Sequence, residues 1–121
     1  MIRNDFIGPA DPEEVTRLFV DRANAHDLDG LVALYGPQAI MAYPPGTLSV
    51  GHEQIRLILE ALLSHAFRFE QEEPVATLRV DGLAMTTTRR RDGQGIRVQL
   101  LRQQPDGSWL RLFDLPEPAS E

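Results

Sequence analysis

The order of hydrophobic patterns along the chain constrains its fold more than any other feature. Apolar residues recur at helical spacing in three early segments, at about 12–25, 28–35 and 52–64. The rest of the chain alternates as strands do, between Pro- and Gly-containing turns. This order predicts an α+β domain, with a curved antiparallel or mixed sheet wrapped around three helices of the N-terminal half. The predicted strands are 39–43, 48–50, 67–69, 75–80, 83–90, 96–103 and 109–115.

Capping residues mark the starts of the first two helices. Asp11 stands before Pro12, and Glu14 follows three positions after Asp11, as in a capping box. Asp27 can cap the second helix. The chain of 121 residues is long enough for one domain. We expect a core over about 12–115, with loose termini at 1–10 and 116–121.

Composition excludes several classes of chemistry. The sequence has no cysteine, and all 12 of its basic residues are arginine. Disulfides, thiolate nucleophiles and a Schiff-base lysine are therefore ruled out. The net charge of −6 disfavours nucleic acid as a partner. The sequence lacks an apolar run of membrane-spanning or signal-peptide length, so we expect a cytoplasmic protein without a membrane partner.

Residues 20–35, VDRANAHDLDGLVALY, resemble the opening of SnoaL-like proteins and ketosteroid isomerases of the nuclear-transport-factor-2-like superfamily. The resemblance continues through the Tyr43-Pro44-Pro45-Gly46 turn and residues 51–55, and it ends with 106–109 and the last strand. It implies a cone-shaped sheet around an apolar pocket for a small organic ligand. It does not imply one activity, because this fold hosts isomerases, cyclases, dehydratases, hydrolases and inert binding modules.

The resemblance places the three groups of ketosteroid isomerase chemistry at Tyr43, Phe19 and Gln99. Tyr43 stands where the aspartate base would be, and an ordinary tyrosine titrates near pH 10. Phe19 replaces a tyrosine and donates no hydrogen bond, and Gln99 replaces a protonated aspartic acid and does not titrate. The ketosteroid reaction is therefore not expected.

Asp114 is the acid that most suggests chemistry. It lies in a short apolar strand whose alternation places Leu112 on the same face and Arg111 on the opposite face. The resemblance turns the face of Asp114 toward the pocket, where a carboxyl group between apolar walls suits a general acid or base. The alternative is a carboxylate paired with an arginine such as Arg97 or Arg102.

Two other polar residues have open interpretations. Tyr43, beside a proline turn, can orient a ligand by its hydroxyl or simply close the core with its ring. Gln99 can hold a ligand carbonyl or make a cross-strand hydrogen bond. We predict Asp114 and Tyr43 as catalytic residues. The predicted ligand-binding residues are Phe19, Tyr35, Met41, Leu59, Leu62, Gln99 and Leu112.

Metal ions and cofactors are not expected. His26, His52 and His65 have no ligand spacing, and we expect His52 to be exposed. A cluster of arginines, at 89–91 with Arg97 across the predicted hairpin, is either a site for an anionic substrate or a solvated tip.

The leading hypothesis is a cofactor-independent acid/base enzyme, such as an isomerase, cyclase, dehydratase or hydrolase, acting on a small, mainly apolar molecule. The alternative is a non-catalytic ligand-binding or dimeric interaction module. Alternation also places Val98, Leu100 and Phe113 on the outer sheet face. An exposed apolar face is an association surface, so we expect a homodimer.

Overall fold

The computed structural model describes residues 8–65 and 68–116. Three helices are α1 (Pro12–Asn24), α2 (Leu28–Val32) and α3 (Gly51–Leu63). Six strands are β1 (Tyr35–Met41), β2 (Ser49–Val50), β3 (Glu73–Val80), β4 (Leu83–Arg89), β5 (Ile96–Gln103) and β6 (Trp109–Leu115). Residues 1–7, 66–67 and 117–121 lie outside the described residues. They include most of the two termini that were predicted to be loose. Pro9, however, is buried, and its carbonyl accepts a hydrogen bond of 2.9 Å from the Trp109 N–H.

The six strands form one curved, unclosed sheet in the order β2-β1-β6-β5-β4-β3. Strand β1 is parallel to β6, and all other neighbours are antiparallel. The predicted α+β class and mixed sheet are therefore confirmed. The predicted break near Pro74 is a register shift inside β3. The proline is tolerated because β3 is an edge strand and its ladder is already irregular at this point.

The second helix ends earlier than predicted. It stops at Val32, and Tyr35 begins β1 instead of ending the helix. Gly36 and Pro37 lie within β1, where the register with β6 shifts between Tyr35 and Ile40. The strand absorbs a proline at this irregularity because regular ladder bonding is already interrupted there.

The two predicted helix caps differ in outcome. Asp27 caps α2 as predicted, since its Oδ1 accepts a hydrogen bond of 2.9 Å from the Gly30 N–H. Asp11 occupies the N-cap of α1, but its side chain makes no capping bond. Glu14 accepts a 3.0 Å bond from the Ala10 N–H instead, one residue before the position that a capping box would use.

The hydrophobic core lies between the helices and the inner sheet face. Trp109, Leu101 and Ala84 of the sheet are buried, together with Val15 of α1 and Ile55 of α3. The outer face is different. Leu78 of β3 and Phe113 of β6 are 59% and 42% exposed, so large apolar side chains remain on that surface.

A β-bulge in β6 changes which side chains face inward. Leu100 of β5 pairs with Phe113, but the next residue, Leu101, pairs with Arg111, so Leu112 is the extra residue of the bulge. Arg111 and Asp114 are therefore both buried on the inner face, although simple alternation separates them. The prediction that Arg111 faces outward with Phe113 is wrong for this reason.

Candidate functional site

A cavity of about 740 Å³ opens between the inner sheet face and helices α1 and α3. Its size falls in the range of small-molecule sites, roughly 300–1,000 Å³. The walls are mostly apolar. They include Phe19, Val20, Met41, Ile58, Leu59 and Leu62.

The structure brings most of the predicted site residues to this cavity. Its lining includes Tyr35, Tyr43, Gln99 and Asp114 as well as the predicted apolar residues Phe19, Met41, Leu59 and Leu62. Leu112 is the exception. It borders a separate, smaller depression beside Gly36 and Pro37, because the bulge turns its side chain away from the cavity.

Asp114 is the centre of a buried polar network in the cavity wall. Only 3% of the residue is exposed. Its Oδ2 accepts a hydrogen bond of 2.6 Å from the Tyr35 hydroxyl, and its Oδ1 accepts one of 3.1 Å from Gln99 Nε2. Thr86 Oγ1 donates in turn to Gln99 Oε1 at 3.2 Å. Both carboxyl oxygens of Asp114 therefore have a hydrogen-bond partner within the wall.

Arg111 supplies the positive charge of this network. Its Nη1 donates to the Tyr35 hydroxyl oxygen at 3.1 Å and lies 3.5 Å from Asp114 Oδ2. The guanidinium carbon stacks over the ring of Phe19 at 4.9 Å and over that of Tyr35 at 5.6 Å. Asp114 therefore lies beside an arginine, as the alternative interpretation of this residue had it, but the arginine is Arg111 and neither Arg97 nor Arg102.

Burial and charge set the ionisation of two members. Burial, followed by the negative charge of Asp114, raises the pKa of Tyr35 well above its usual value, so the phenol keeps its proton and stays a donor. Burial alone would lower the pKa of Arg111. The Tyr35 oxygen and the Asp114 carboxylate outweigh that effect and raise the pKa, so the guanidinium keeps its charge.

Gln99 joins three strands of the sheet at the cavity wall. It makes cross-strand hydrogen bonds, to Thr86 on β4 and to Asp114 on β6, and it also lines the cavity. One amide orientation satisfies both bonds, because the nitrogen donates to the carboxylate and the oxygen accepts from the hydroxyl.

Tyr43 lies in the cavity lining, outside this network. Its carbonyl accepts a 2.8 Å bond from Ser49 Oγ, which fixes the turn that follows β1. Among the residues that the structure describes, none makes a hydrogen bond to its hydroxyl. The two predicted catalytic residues, Asp114 and Tyr43, therefore share a cavity without sharing a hydrogen bond.

The predicted cluster of arginines lies around the β4–β5 hairpin and the cavity mouth, and acids neutralise it. The ion pairs are Arg89–Glu73 at 3.5 Å, Arg90–Asp92 at 2.9 Å, Arg91–Glu70 at 2.7 Å and Arg97–Glu72 at 2.9 Å. A surface so balanced has little net attraction for an anion, although Arg90 and Arg97 are half-buried in the cavity lining and not fully solvated.

The histidines have structural contacts. His52 is half-buried rather than exposed, with Nε2 2.7 Å from the Tyr35 carbonyl oxygen. His65 Nδ1 lies 3.1 Å from the Ala61 carbonyl oxygen. Across residues 8–65 and 68–116, His, Asp and Glu nowhere gather into a metal-binding group of three or more. No helix within those ranges has the length and apolar character needed to cross a membrane.

Comparisons with known proteins agree with this architecture. The family model of the SnoaL-like domain matches residues 15–110. The fold is that of the nuclear-transport-factor-2-like superfamily. The chain belongs to the SnoaL-like family, as the resemblance in its sequence implied. No curated protein matches the chain.

Solved structures share the fold at low sequence identity. A SnoaL-like protein of unknown function from Burkholderia thailandensis is 22% identical, covering 99% of this chain and 100% of that chain, with a TM-score of 0.58. A ketosteroid isomerase-like protein from Erwinia carotovora atroseptica is 15% identical, with coverages of 85% and 89% and a TM-score of 0.67. A Thiobacillus denitrificans protein, proposed to be a calcium/calmodulin-dependent protein kinase type II association domain, is 16% identical, with coverages of 94% and 98% and a TM-score of 0.74. At these identities the likeness shows the fold alone.

Proposed function

We propose that this protein binds a small, mainly apolar organic molecule with at least one oxygen function in the cavity between sheet and helices. One observation carries the proposal: a buried network of Asp114, Tyr35, Gln99 and Arg111 lies in the wall of a cavity whose other walls along α1 and α3 are mostly apolar. Apolar walls with a few convergent polar groups are typical of ligand sites, where the polar groups fix orientation. A cytoplasmic location and the lack of a nucleic-acid partner remain predictions from the sequence.

A reporter dye and two tryptophan variants test this proposal. Nile red fluorescence should rise saturably on addition of the protein. Ile58→Trp places a large ring in the cavity and should weaken dye binding at least about 10-fold. Leu57→Trp is the matched control, because Leu57 neighbours Ile58 on α3 but is 63% exposed. Equal dye binding by both variants would contradict a site in this cavity.

A second candidate function is acid/base catalysis by Asp114. The observation that favours it is a carboxyl group that lines an apolar cavity and is only 3% exposed. A carboxylate in a cavity wall can accept a proton from a carbon acid bound against it, which is general base catalysis. Tyr43, also in the lining, would orient the substrate by its hydroxyl.

Hydrogen–deuterium exchange tests the catalytic candidate without a known substrate. The methyl protons of 2-acetylnaphthalene, next to its carbonyl, should exchange in D₂O faster with the protein than with buffer. Asp114→Asn should abolish the acceleration, and Tyr43→Phe should reduce it. If the wild-type protein and buffer exchange these protons at one rate, binding without catalysis is the better description for this class of carbon acid.

We also propose a homodimer formed through the outer sheet face. Leu78, Met85, Leu100 and Phe113 pair in succession across β3, β4, β5 and β6, which makes an apolar row over four strands. Phe113→Glu should shift the mass measured by light scattering from dimer to monomer. Leu48→Glu is the control, since Leu48 is equally apolar and 62% exposed but lies outside these strands. A wild-type monomer at micromolar concentration would contradict the proposal.

A further inference from the structure

The buried guanidinium of Arg111 has more hydrogen-bond donors than it has acceptors among the residues that the structure describes. Within residues 8–65 and 68–116, its one hydrogen-bond acceptor is the Tyr35 hydroxyl, 3.1 Å from Nη1, while Nε is buried without a partner. Asp114 Oδ2, 3.5 Å from Nη1, supplies charge at more than ordinary hydrogen-bond length. Buried donors are nearly always paired in native proteins. Nε is enclosed by its neighbours, but Nη2 also makes no hydrogen bond within those residues and keeps some accessible surface, so it is the donor that an acceptor from outside the chain can reach.

The surroundings of Arg111 place that acceptor in the cavity. Arg111 itself lines the cavity, and so do Phe19 and Tyr35, the two rings over which its guanidinium stacks. These rings and the bond to the Tyr35 hydroxyl fix the guanidinium before any ligand arrives. A fixed, desolvated donor binds an acceptor without first losing its own conformational freedom.

Charge decides which kind of acceptor fits. Arg111 and Asp114 are 5% and 3% exposed at their side chains, and their charges cancel at 3.5 Å. A ligand carboxylate would add a negative charge beside Asp114 that no unpaired cation compensates, because the arginines at the cavity mouth already pair with acids. A neutral carbonyl oxygen accepts the same hydrogen bond and leaves the balance unchanged.

We infer that Arg111 selects the polar group of the ligand, and that this group is a neutral carbonyl oxygen, as in a ketone, aldehyde or ester, rather than a carboxylate. The inference rests on the proposed function, because it assigns the oxygen of the proposed ligand to one donor. Arg111 acts here as a binding residue. Asp114 balances the charge of the Arg111 guanidinium, and the Tyr35 hydroxyl holds the guanidinium in position.

Three probes of one shape test the inference. 2-Acetylnaphthalene carries the carbonyl, 2-ethylnaphthalene replaces its oxygen by hydrogen, and 2-naphthoate carries the negative charge. A hydrogen bond from a charged donor corresponds to about a 10- to 100-fold difference in affinity. We therefore expect the wild-type protein to bind the ketone about 10- to 100-fold more tightly than the hydrocarbon, and the carboxylate less tightly than the ketone.

Variants separate this role from a merely structural one. In Arg111→Met the ratio of ketone to hydrocarbon affinity should fall to near one. The double variant Arg111→Met/Asp114→Asn removes both charges, avoids a lone buried carboxylate, and should give the same ratio. Arg91→Met is the matched control, because Arg91 also lines the cavity but pairs with Glu70 at 2.7 Å. It should keep the wild-type ratio.

A spectroscopic signature accompanies the affinities. With a ¹³C-labelled carbonyl, the bound ketone should show a downfield-shifted carbonyl resonance in the wild-type protein and in Arg91→Met, but not in the two Arg111 variants. The inference would be overturned if the Arg111 variants kept the wild-type ratio of ketone to hydrocarbon affinity. It would also be overturned if the wild-type protein bound naphthoate more tightly than the ketone. If the wild-type protein binds Nile red but its ratio of ketone to hydrocarbon affinity is near one, the inference is overturned and the proposed function is not. Failure of the dye and of all three probes to bind would overturn the proposed function with it.

Discussion

Asp114→Asn removes the carboxylate that faces the Arg111 guanidinium, and the structure sets the size of the effect. Removing one partner of a buried ion pair costs about 3–5 kcal/mol, because the other charge stays buried and unpaired. The two side chains are 5% and 3% exposed, so solvent screens the remaining charge little. The separation of 3.5 Å is long for such a pair, which favours the lower end, about 3 kcal/mol.

The hydrogen bonds around Asp114 should add little to that loss. In Asp114→Asn, the oxygen of the new side-chain amide still accepts from the Tyr35 hydroxyl. The NH₂ of that amide meets the NH₂ of Gln99, but a flip of the Gln99 amide restores a bond, and the Thr86 hydroxyl can then accept. We therefore expect about 3 kcal/mol less stability at pH 7, or a Tm lower by roughly 10–15 °C for a domain of this size.

Urea unfolding at pH 7 measures this loss of stability. A double-mutant cycle shows how much of it comes from the pairing of Asp114 with Arg111. Asp114→Asn and Arg111→Met should each destabilise the fold, while the double variant should lose clearly less than the sum, since it leaves no lone charge. A variant Asp114→Asn as stable as the wild-type protein, or more stable, would refute the ion pair. That result would favour a carboxylic acid held neutral in the cavity.

Two further predictions concern pH and the α2 cap. The raised pKa of Tyr35 means that the native state keeps a proton which the unfolded chain loses near pH 10. The unfolding free energy should therefore fall as pH rises above about 10, by up to about 1.4 kcal/mol per pH unit, and Tyr35→Phe should flatten this alkaline limb. If the unfolding free energy of Tyr35→Phe falls above about pH 10 as steeply as that of the wild-type protein, Tyr35 is not the group responsible. Separately, a Cβ added at Gly30 would lie 2.1 Å from Asp27 Oδ2. Gly30→Ala should thus displace the capping side chain and cost about 1–2 kcal/mol in urea unfolding. The control is Gly36→Ala, whose Cβ would meet an ordinary contact of 3.6 Å. Equal stability of the two variants would count against the cap.

Local signals explain why the fold could be predicted. Pro12 after Asp11 and the cap at Asp27 fix where helices begin, and both signals act within a few residues. Long alternating segments separated by Gly and Pro turns give the antiparallel meander in the same way. The error at Tyr35 arose where local signals conflict, since the apolar helical spacing continues past Val32 while the chain already enters β1.

The site could be predicted only in part, because its polar contacts are long-range. The apolar lining follows from helix faces, so Phe19 and Leu59 reach the cavity as expected. The bond between Tyr35 and Asp114 joins strands that are far apart in sequence and become parallel neighbours only in the folded sheet. No periodicity in either strand encodes that contact. Arg111 was missed for a related reason, because a bulge is a property of two paired strands and not of one.

The bulge at Leu112 links the stability of this site to its capacity for binding. In a regular β6, Asp114 and Leu112 would face the cavity, and Arg111 would point to the outer surface. The Asp114 carboxylate would then be buried without a counterion, which is one of the most destabilising arrangements in a protein interior. The extra residue instead brings Arg111 to the inner face, within 3.5 Å of the carboxylate. The Asp114 carboxylate already accepts hydrogen bonds from Tyr35 and Gln99. Some donors of the Arg111 guanidinium are therefore left without an acceptor. The feature that makes a buried acid tolerable in this sheet is thus the same feature that provides the cavity with unused donors.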